Sequence, residues 1–209
     1  GKVKEYFQRK LSLTAIMMSG YVLSACSSNE QGSMQESEQS LTDIEVEIIA
    51  SGANIAGANG LAIGPDGNLY VTSVLGSSIS VIEPESGEIL NTLGVGEGVI
   101  GPDDVDFYND GSYYWTSIMT GEVAGFDKDG NRIVAAQLTP GVNPITFSDD
   151  GRLFVSQCFF GTNLYEIDPD GEQEARLISD ELGPGCGLNG MDWGPDNRLY
   201  GPRWFNQEV

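Results

Sequence analysis

The segment Asn59-Gly-Leu-Ala-Ile-Gly-Pro-Asp-Gly-Asn-Leu-Tyr-Val71 decides the fold, because it returns in similar form as Asn189-Gly-Met-Asp-Trp-Gly-Pro-Asp-Asn-Arg-Leu-Tyr200. In each copy a short apolar run precedes Gly-Pro-Asp, and a second apolar run follows it. Asp-Gly and Asp-Asn pairs tolerate the positive backbone φ that a tight hairpin turn requires. Each copy is therefore predicted to form two antiparallel strands joined by a turn.

Two weaker copies lie between these segments, so the pattern occurs four times. The copies start at anchor positions that are 44, 40 and 46 residues apart. An Asp stands seven residues after every anchor, and an apolar or aromatic pair begins three residues after that Asp. The four anchors are Asn59, Asp103, Asn143 and Asn189.

A period of roughly 40–50 residues with four short strands per repeat is typical of a β-propeller blade. In the third repeat the strands are predicted at 145–148, 152–156, 163–168 and 173–178. The predicted fold class is all-β, a partial β-propeller over residues 44–209 with about three and a half blades. Residues 44–49 are predicted to be the outer strand of another blade. The chain lacks an initiator Met and stops after a strand-like segment, so we expect both ends to be incomplete.

Residues 1–25 are predicted to be the signal peptide of a lipoprotein. A basic stretch precedes the apolar run 11–23 and then Leu23-Ser-Ala-Cys26. The run is shorter than the ~20 apolar residues of a membrane-spanning helix. Leu-Ser-Ala-Cys resembles the bacterial lipobox, in which the Cys receives a lipid; an ordinary signal peptide with an incidental Cys is the alternative. We expect Cys26 to anchor an exported protein in the bacterial cell envelope, at the outer membrane or cell surface, through a flexible tether at 26–43.

The composition excludes some functions. The chain has 10 Lys and Arg against 31 Asp and Glu, a net charge of −21, which repels nucleic acid and anionic lipid headgroups. We therefore expect no nucleic-acid partner, and contact with the membrane through the lipid anchor only. There is no His in this sequence, which removes His-based catalysis and His metal ligands.

The four anchors are candidate metal ligands, since all carry side-chain oxygens and should meet at one mouth of the central channel. Oxygen ligands suit a hard divalent cation such as Ca²⁺ or Mg²⁺, with Ca²⁺ expected first. Asn189, Asn143 and Asp103 are the predicted ligands, and Asp103 or Asp104 the predicted general base. The alternative is that the anchors bond to nearby backbone in Asx-turns.

Loops at 74–78, 118–120, 157–161 and 203–206 are predicted to cover the same mouth. They offer a mixture of aromatic and polar side chains that suits a small-molecule pocket. Gln157, Arg203 and Trp204, with Asn59, are the candidate substrate-binding residues; a surface salt bridge is the alternative role for Arg203. Cys158 and Cys186 fall in loops on this face, where an exported protein could join them in a disulfide or leave two free thiols.

The two quoted segments resemble the blade motif of the regucalcin, gluconolactonase and luciferin-regenerating-enzyme family, over about residues 50–209. The motif also occurs in propellers of the NHL and streptogramin-lyase types. The resemblance implies a six-bladed propeller with a divalent metal held by a Glu, an Asn and an Asp at the starts of inner strands. Asn189 matches the Asn of that set. Asn59 occupies the repeat position that corresponds to the Glu, and the position that corresponds to the Asp would lie beyond Val209.

That resemblance implies a metal-dependent hydrolase of sugar lactones or related esters. The metal would polarise the ester carbonyl and acidify a bound water, and Asn59 and Asn143 would position substrate or water. The alternative is a non-catalytic surface propeller that binds a protein, a glycan or a small molecule. A third possibility places the chemistry wholly in other blades.

Overall fold

Three four-stranded antiparallel sheets follow one another along the chain, and a two-stranded hairpin comes after them. The computed structural model describes residues 45–183, 186–204, 207 and 209. The chain divides into a unit of residues 1–47 and a compact unit of residues 48–209, and the strands of all three sheets and of the hairpin belong to the second unit. Short 3₁₀ turns at Ala53–Ile55 and Val95–Glu97 precede the first and second sheets.

The strands succeed each other in the order expected for propeller blades. The first sheet contains β1 (Ala58–Ile63), β2 (Leu69–Ser73), β3 (Ser78–Ile82) and β4 (Ile89–Leu93). The second contains β5 (Pro102–Phe107), β6 (Tyr113–Ser117), β7 (Glu122–Phe126) and β8 (Arg132–Gln137). The third contains β9 (Val142–Phe147), β10 (Leu153–Gln157), β11 (Leu164–Ile167) and β12 (Arg176–Ser179). The hairpin is β13 (Asp192–Trp193) and β14 (Leu199–Tyr200).

The register fixes which ends of the strands lie together. Ser73 pairs with Ala58, and Ser117 with Pro102, so each second strand ends where the first strand of its sheet begins. Strand β1 lies against β5, and β5 lies against β9. The first strands of successive sheets are thus neighbours, as they are around a propeller axis.

The predicted hairpin turns are present. Asp66 Oδ1 accepts a hydrogen bond from the backbone N–H of Asn68 at 3.1 Å, and Gly67 has a φ of 81°. In the hairpin of the fourth repeat the same position is Asn197, with a φ of 59°. Asn is among the few residues other than Gly that adopt this conformation readily, which explains why the motif survives there without a glycine.

Apolar side chains fill the spaces between neighbouring sheets. Between the first and second sheets, Ile79 packs with Val105 and with Trp115, which is fully buried. A larger cluster joins the second and third sheets through Tyr114, Val142, Val155 and other side chains. Since burial of apolar surface is the main favourable term in folding, each sheet depends on the next one for its stability.

Some sequence-based boundaries were wrong. In the third repeat the first strand begins at Val142 rather than at residue 145, so Asn143 lies inside it. The last strand begins at Arg176 rather than at residue 173, because Asp168 Oδ2 accepts the N–H groups of Glu172 and Gln173 and lengthens the turn. Residue 44 lies outside the described residues, and residues 45–49 form no strand, since none of the described strands pairs with them.

Candidate functional site

Three of the four anchors lie at equivalent places in neighbouring strands. Asn59, Asp103 and Asn143 are the second residues of β1, β5 and β9, which lie side by side. Asn189 stands just before β13, and its backbone N–H donates to Pro202 O at 2.9 Å. The side chains predicted to bind a metal therefore start from one end of the sheets.

The side chains of Asn59 and Asp103 meet across the first two sheets. Asn59 Nδ2 donates a hydrogen bond to Asp103 Oδ1. Asp103 is 1% exposed, and among the described residues its Oδ2 has no hydrogen-bond partner. Burial raises the pKa of Asp103 to about 7, and the bond from Asn59 lowers it in part. A buried carboxylate oxygen without a partner is costly, so this oxygen requires an explanation.

The other two predicted ligands have different surroundings. Asn143 is 5% exposed, and its backbone oxygen accepts a hydrogen bond from Thr116 Oγ1 at 2.5 Å. Asn189 Nδ2 lies 3.6 Å from Cys158 Sγ, just after the end of β10. Within the described ranges, no group of three or more acidic or Cys side chains is arranged to hold a metal ion. Of the three predicted ligands only Asp103 has a carboxyl group, so a cation held by these three residues would also depend on the amide oxygens of Asn143 and Asn189.

Asp104 is engaged in holding two sheets together. Its Oδ2 accepts the backbone N–H of Ile145 in β9, and its Oδ1 accepts that of Val105, both at 3.0 Å. Asp106 repeats the link two residues later by accepting the N–H of Phe147 at 2.7 Å. Removal from water raises the pKa of Asp104 to about 7, against the lowering effect of its two backbone donors. These contacts place Asp104 at the joint between the second and third sheets.

The sequence analysis missed a hydroxyl that recurs thirteen residues after each of the first three anchors. Thr72 and Thr116 each donate to the backbone oxygen of the next anchor along the chain. Ser156 instead accepts the N–H of Leu188, at 3.4 Å, just before the fourth anchor. The recurring spacing could have revealed these hydroxyl side chains. Thr and Ser are common in strands, however, and a sequence pattern does not identify their hydrogen-bond partners.

The predicted substrate-binding residues differ in exposure. Gln157 is 2% exposed, and its amide donates to the hydroxyl of Thr139, which places the side chain beneath its loop. Arg203 forms an isolated bridge with Leu188 beside the fourth anchor. Trp204 is 57% exposed and meets Phe159 edge-to-face, with ring centroids 5.9 Å apart. Trp204 therefore remains accessible to a ligand, whereas Gln157 does not; residues 205 and 206 lie outside the described residues.

Cys158 and Cys186 are joined in a disulfide. Both are almost fully buried, at 0% and 1% exposure. The bond ties the loop after β10 to the segment that enters the fourth repeat, next to Asn189. Cys26 lies outside the described residues.

Comparison with known proteins gives matches at the level of structure. No known protein-family profile matches the chain, and no curated protein matches it. Virginiamycin B lyase from Staphylococcus aureus matches with a TM-score of 0.59 and 19% identity, over 70% of this chain and 49% of that one. A gluconolactonase-like protein matches with a TM-score of 0.55 and 17% identity, over 69% of this chain and 56% of that one. A chain of the nidogen–laminin complex matches with a TM-score of 0.58 and 19% identity, over 69% of this chain and 56% of that one.

The chain folds as a β-propeller. It spans about half the length of the solved structures it matches. The matched propellers differ in function, and at these identities the likeness shows the fold alone. Within the described ranges, no helix has the length and apolarity needed to cross a membrane.

Proposed function

We propose that this propeller is a hydrolase of lactones or related esters that uses a divalent cation, Ca²⁺ first among them, bound at Asp103. The observation that carries the proposal is the buried Oδ2 of Asp103, which lacks a partner among the described residues. Its position at the start of β5, beside Asn59, is where the ends of three neighbouring first strands offer oxygen ligands. Carboxylate and amide oxygens are ligands that Ca²⁺ prefers.

The residues present fit such a cation. Asp103 would supply the charge, and Asn59 and Asn143 would supply amide oxygens once the Asn59 amide turns its oxygen, in place of its nitrogen, towards Asp103. A bound cation polarises an ester carbonyl and makes a bound water more acidic. In the reaction, the water oxygen bonds to the carbonyl carbon, the ring C–O bond breaks and the ring oxygen takes a proton, which gives a hydroxy acid. The protein's own part is to hold the reacting group at a buried, partly desolvated carboxylate.

Calcium binding by calorimetry on the full chain tests the proposal. Asp103→Asn keeps the shape of the side chain and removes its charge, so we expect Ca²⁺ affinity to fall at least tenfold, about 1.4 kcal/mol. Asp170→Asn, on an exposed turn, is the matched control and should leave the affinity unchanged. Asn189→Ala tests the ligand that the family resemblance favours. Equal affinities in Asp103→Asn and the unmodified chain would refute the site.

A second candidate function is ligand binding without catalysis. The exposed Trp204 and its contact with Phe159 favour it, because aromatic side chains held at a rim are common in binding surfaces. An activity assay distinguishes the hydrolase from the non-catalytic binding protein. If the chain is a hydrolase, a panel of lactones assayed with Ca²⁺ should show hydrolysis, and the Asp103→Asn variant should show none. Binding of a lactone without any turnover would favour the second candidate.

The cellular location is part of the same proposal. We propose that the chain is exported and tethered to the bacterial envelope through a lipid on Cys26, as its lipobox-like segment implies. Labelling with a radioactive fatty acid in a bacterial host should mark the protein, and Cys26→Ala should abolish the label. A labelled Cys26→Ala protein would reject the anchor.

A further inference from the structure

Each of the four repeats carries an exposed apolar side chain in the loop after its second strand. The exposed fractions are 82% for Leu75, 64% for Met119, 87% for Phe160 and 57% for Trp204. We call residues 74–77, 118–121, 158–163 and 203–204 the mouth loops. Because each second strand ends where the first strand of its sheet begins, the mouth loops lie at the same end of the sheets as the anchors.

Charge is distributed unevenly between the mouth loops and the turns at the opposite end of the sheets. The first three mouth loops contain no charged residue, in a chain with 31 acidic residues. The turns at the opposite end hold many carboxylates: Asp66, Glu83, Glu85, Glu88, Asp110, Asp127, Asp129, Asp149, Asp150, Asp168, Asp170, Glu172, Glu174 and Asp196. Solubility alone does not explain why acidic residues avoid one set of loops, so the mouth loops are suited to an uncharged ligand.

Two glycines pack closely against apolar side chains of the mouth loops. A Cβ atom added to Gly57 would lie 2.8 Å from Leu75 Cγ, and one added to Gly101 would lie 2.9 Å from Met119 Cγ. Gly57 and Gly101 stand two residues before the anchors Asn59 and Asp103. Leu75 and Met119 therefore lie against the segments that enter β1 and β5, while most of their surface remains exposed.

We propose that the mouth loops bind an apolar substituent of the substrate, so that the lactone or ester carries an alkyl or aryl group. The proposal rests on the proposed hydrolase function for the reacting group and adds the substrate class. Single exposed apolar residues are ordinary on protein surfaces. Four of them at equivalent positions lie at the same end of the sheets as Asp103, whose buried Oδ2 has no partner among the described residues, and this shared location favours a small substrate as the occupant.

Binding of non-hydrolysable analogues tests the substituent separately from catalysis. The probes are γ-lactams with methyl, butyl and octyl chains, titrated into the full chain with Ca²⁺ present. Affinity should rise with chain length, by about fourfold for each methylene that is fully buried. The double variant Leu75→Gln, Met119→Gln should weaken octyl-lactam binding at least fivefold and leave methyl-lactam binding unchanged. Leu90→Gln, at a 50% exposed position on the outer strand β4, is the matched control and should change neither.

Parallel assays distinguish failure of this inference from failure of the hydrolase proposal. Binding that rises with chain length, without hydrolysis of any γ-lactone of the same series, would reject the hydrolase and keep the apolar site. Hydrolysis that does not depend on chain length would keep the hydrolase and overturn the apolar site, and so would the absence of lactam binding. Binding to neutral phosphatidylcholine vesicles that Leu75→Gln abolishes, without a preference among lactams, would overturn it in favour of a membrane surface.

Discussion

The hydroxyl of Thr72 donates a hydrogen bond to the backbone oxygen of Asp103 at 2.6 Å, and so ties the second strand of one sheet to the first strand of the next. The same hydroxyl accepts the N–H of Gly60 at 2.8 Å. Thr116 repeats the first bond one sheet later, on the backbone oxygen of Asn143. Both threonines are fully buried. The backbones of Asp103 and Asn143 are thus each held by the preceding sheet.

Thr72→Val keeps the shape of the side chain and removes both hydrogen bonds. The backbone groups of Asp103 and Gly60 then lose a buried partner, so the free energy of unfolding should fall by about 1–3 kcal/mol, measured by urea denaturation. Thr92→Val, at an exposed position on β4, is the matched control and should change stability little. Equal stability of the two variants would show that the Thr72 bond contributes nothing.

Asp104→Ala should destabilise the protein without acting on chemistry. The backbone N–H groups of Ile145 and Val105 lose their acceptor, and we expect a loss of about 1–3 kcal/mol in the free energy of unfolding. Asp170→Ala, on an exposed turn, should be close to neutral. If Asp104→Ala kept full stability and lost all hydrolytic activity, Asp104 would return to the role of general base.

The blade pattern could be predicted from sequence because the signal for a turn is local. Asp66-Gly67 and the apolar pairs after such turns recur at fixed distances from the anchors, and a tight turn between two apolar runs determines which strands pair. The outer strand of the third sheet was placed too early because its turn is extended by side-chain bonds from Asp168, which a composition pattern does not show.

The roles of adjacent acidic residues could not be separated from sequence. Asp103 and Asp104 are neighbours of one type, and both were predicted to be catalytic. Successive side chains in a strand point to opposite faces, so Asp103 meets Asn59 whereas Asp104 meets the backbone of β9. Which of the two faces the site depends on the register between sheets, and no local pattern encodes that register.

Glu166 should make stability sensitive to acid. It binds Arg152 through both oxygens, at 2.8 and 3.0 Å, and also bonds to Arg176; these hydrogen bonds, led by those from Arg152, lower its pKa from 4.5 to about 2. The contribution of Glu166 to the free energy of unfolding is complete above pH 4.5 and is lost as the pH falls towards 2, because Glu166 is harder to protonate in the folded state than in the unfolded state. Both Arg side chains are exposed, so we expect only about 1 kcal/mol at neutral pH.

Urea denaturation between pH 2 and pH 7 measures this effect. Glu166→Gln should be less stable than the unmodified chain at neutral pH, and the difference should shrink as the pH falls towards 2. Glu172→Gln, in the nearby exposed turn, is the control and should follow the unmodified chain. A difference that stays constant over the whole range would contradict the assigned ion pairs.

Removal of the disulfide should destabilise the rim next to Asn189. Cys158 and Cys186 are 28 residues apart, and a cross-link of that span stabilises by about 3–4 kcal/mol if it acts mainly on the unfolded chain. The double variant Cys158→Ala, Cys186→Ala should lose about this much stability, and the fluorescence of Trp204 should change as its contact with Phe159 loosens. Alkylation of the unfolded, unlipidated chain should modify only Cys26 without reductant and all 3 cysteines after reduction. Modification of all three before reduction would show that the sulfurs are not bonded.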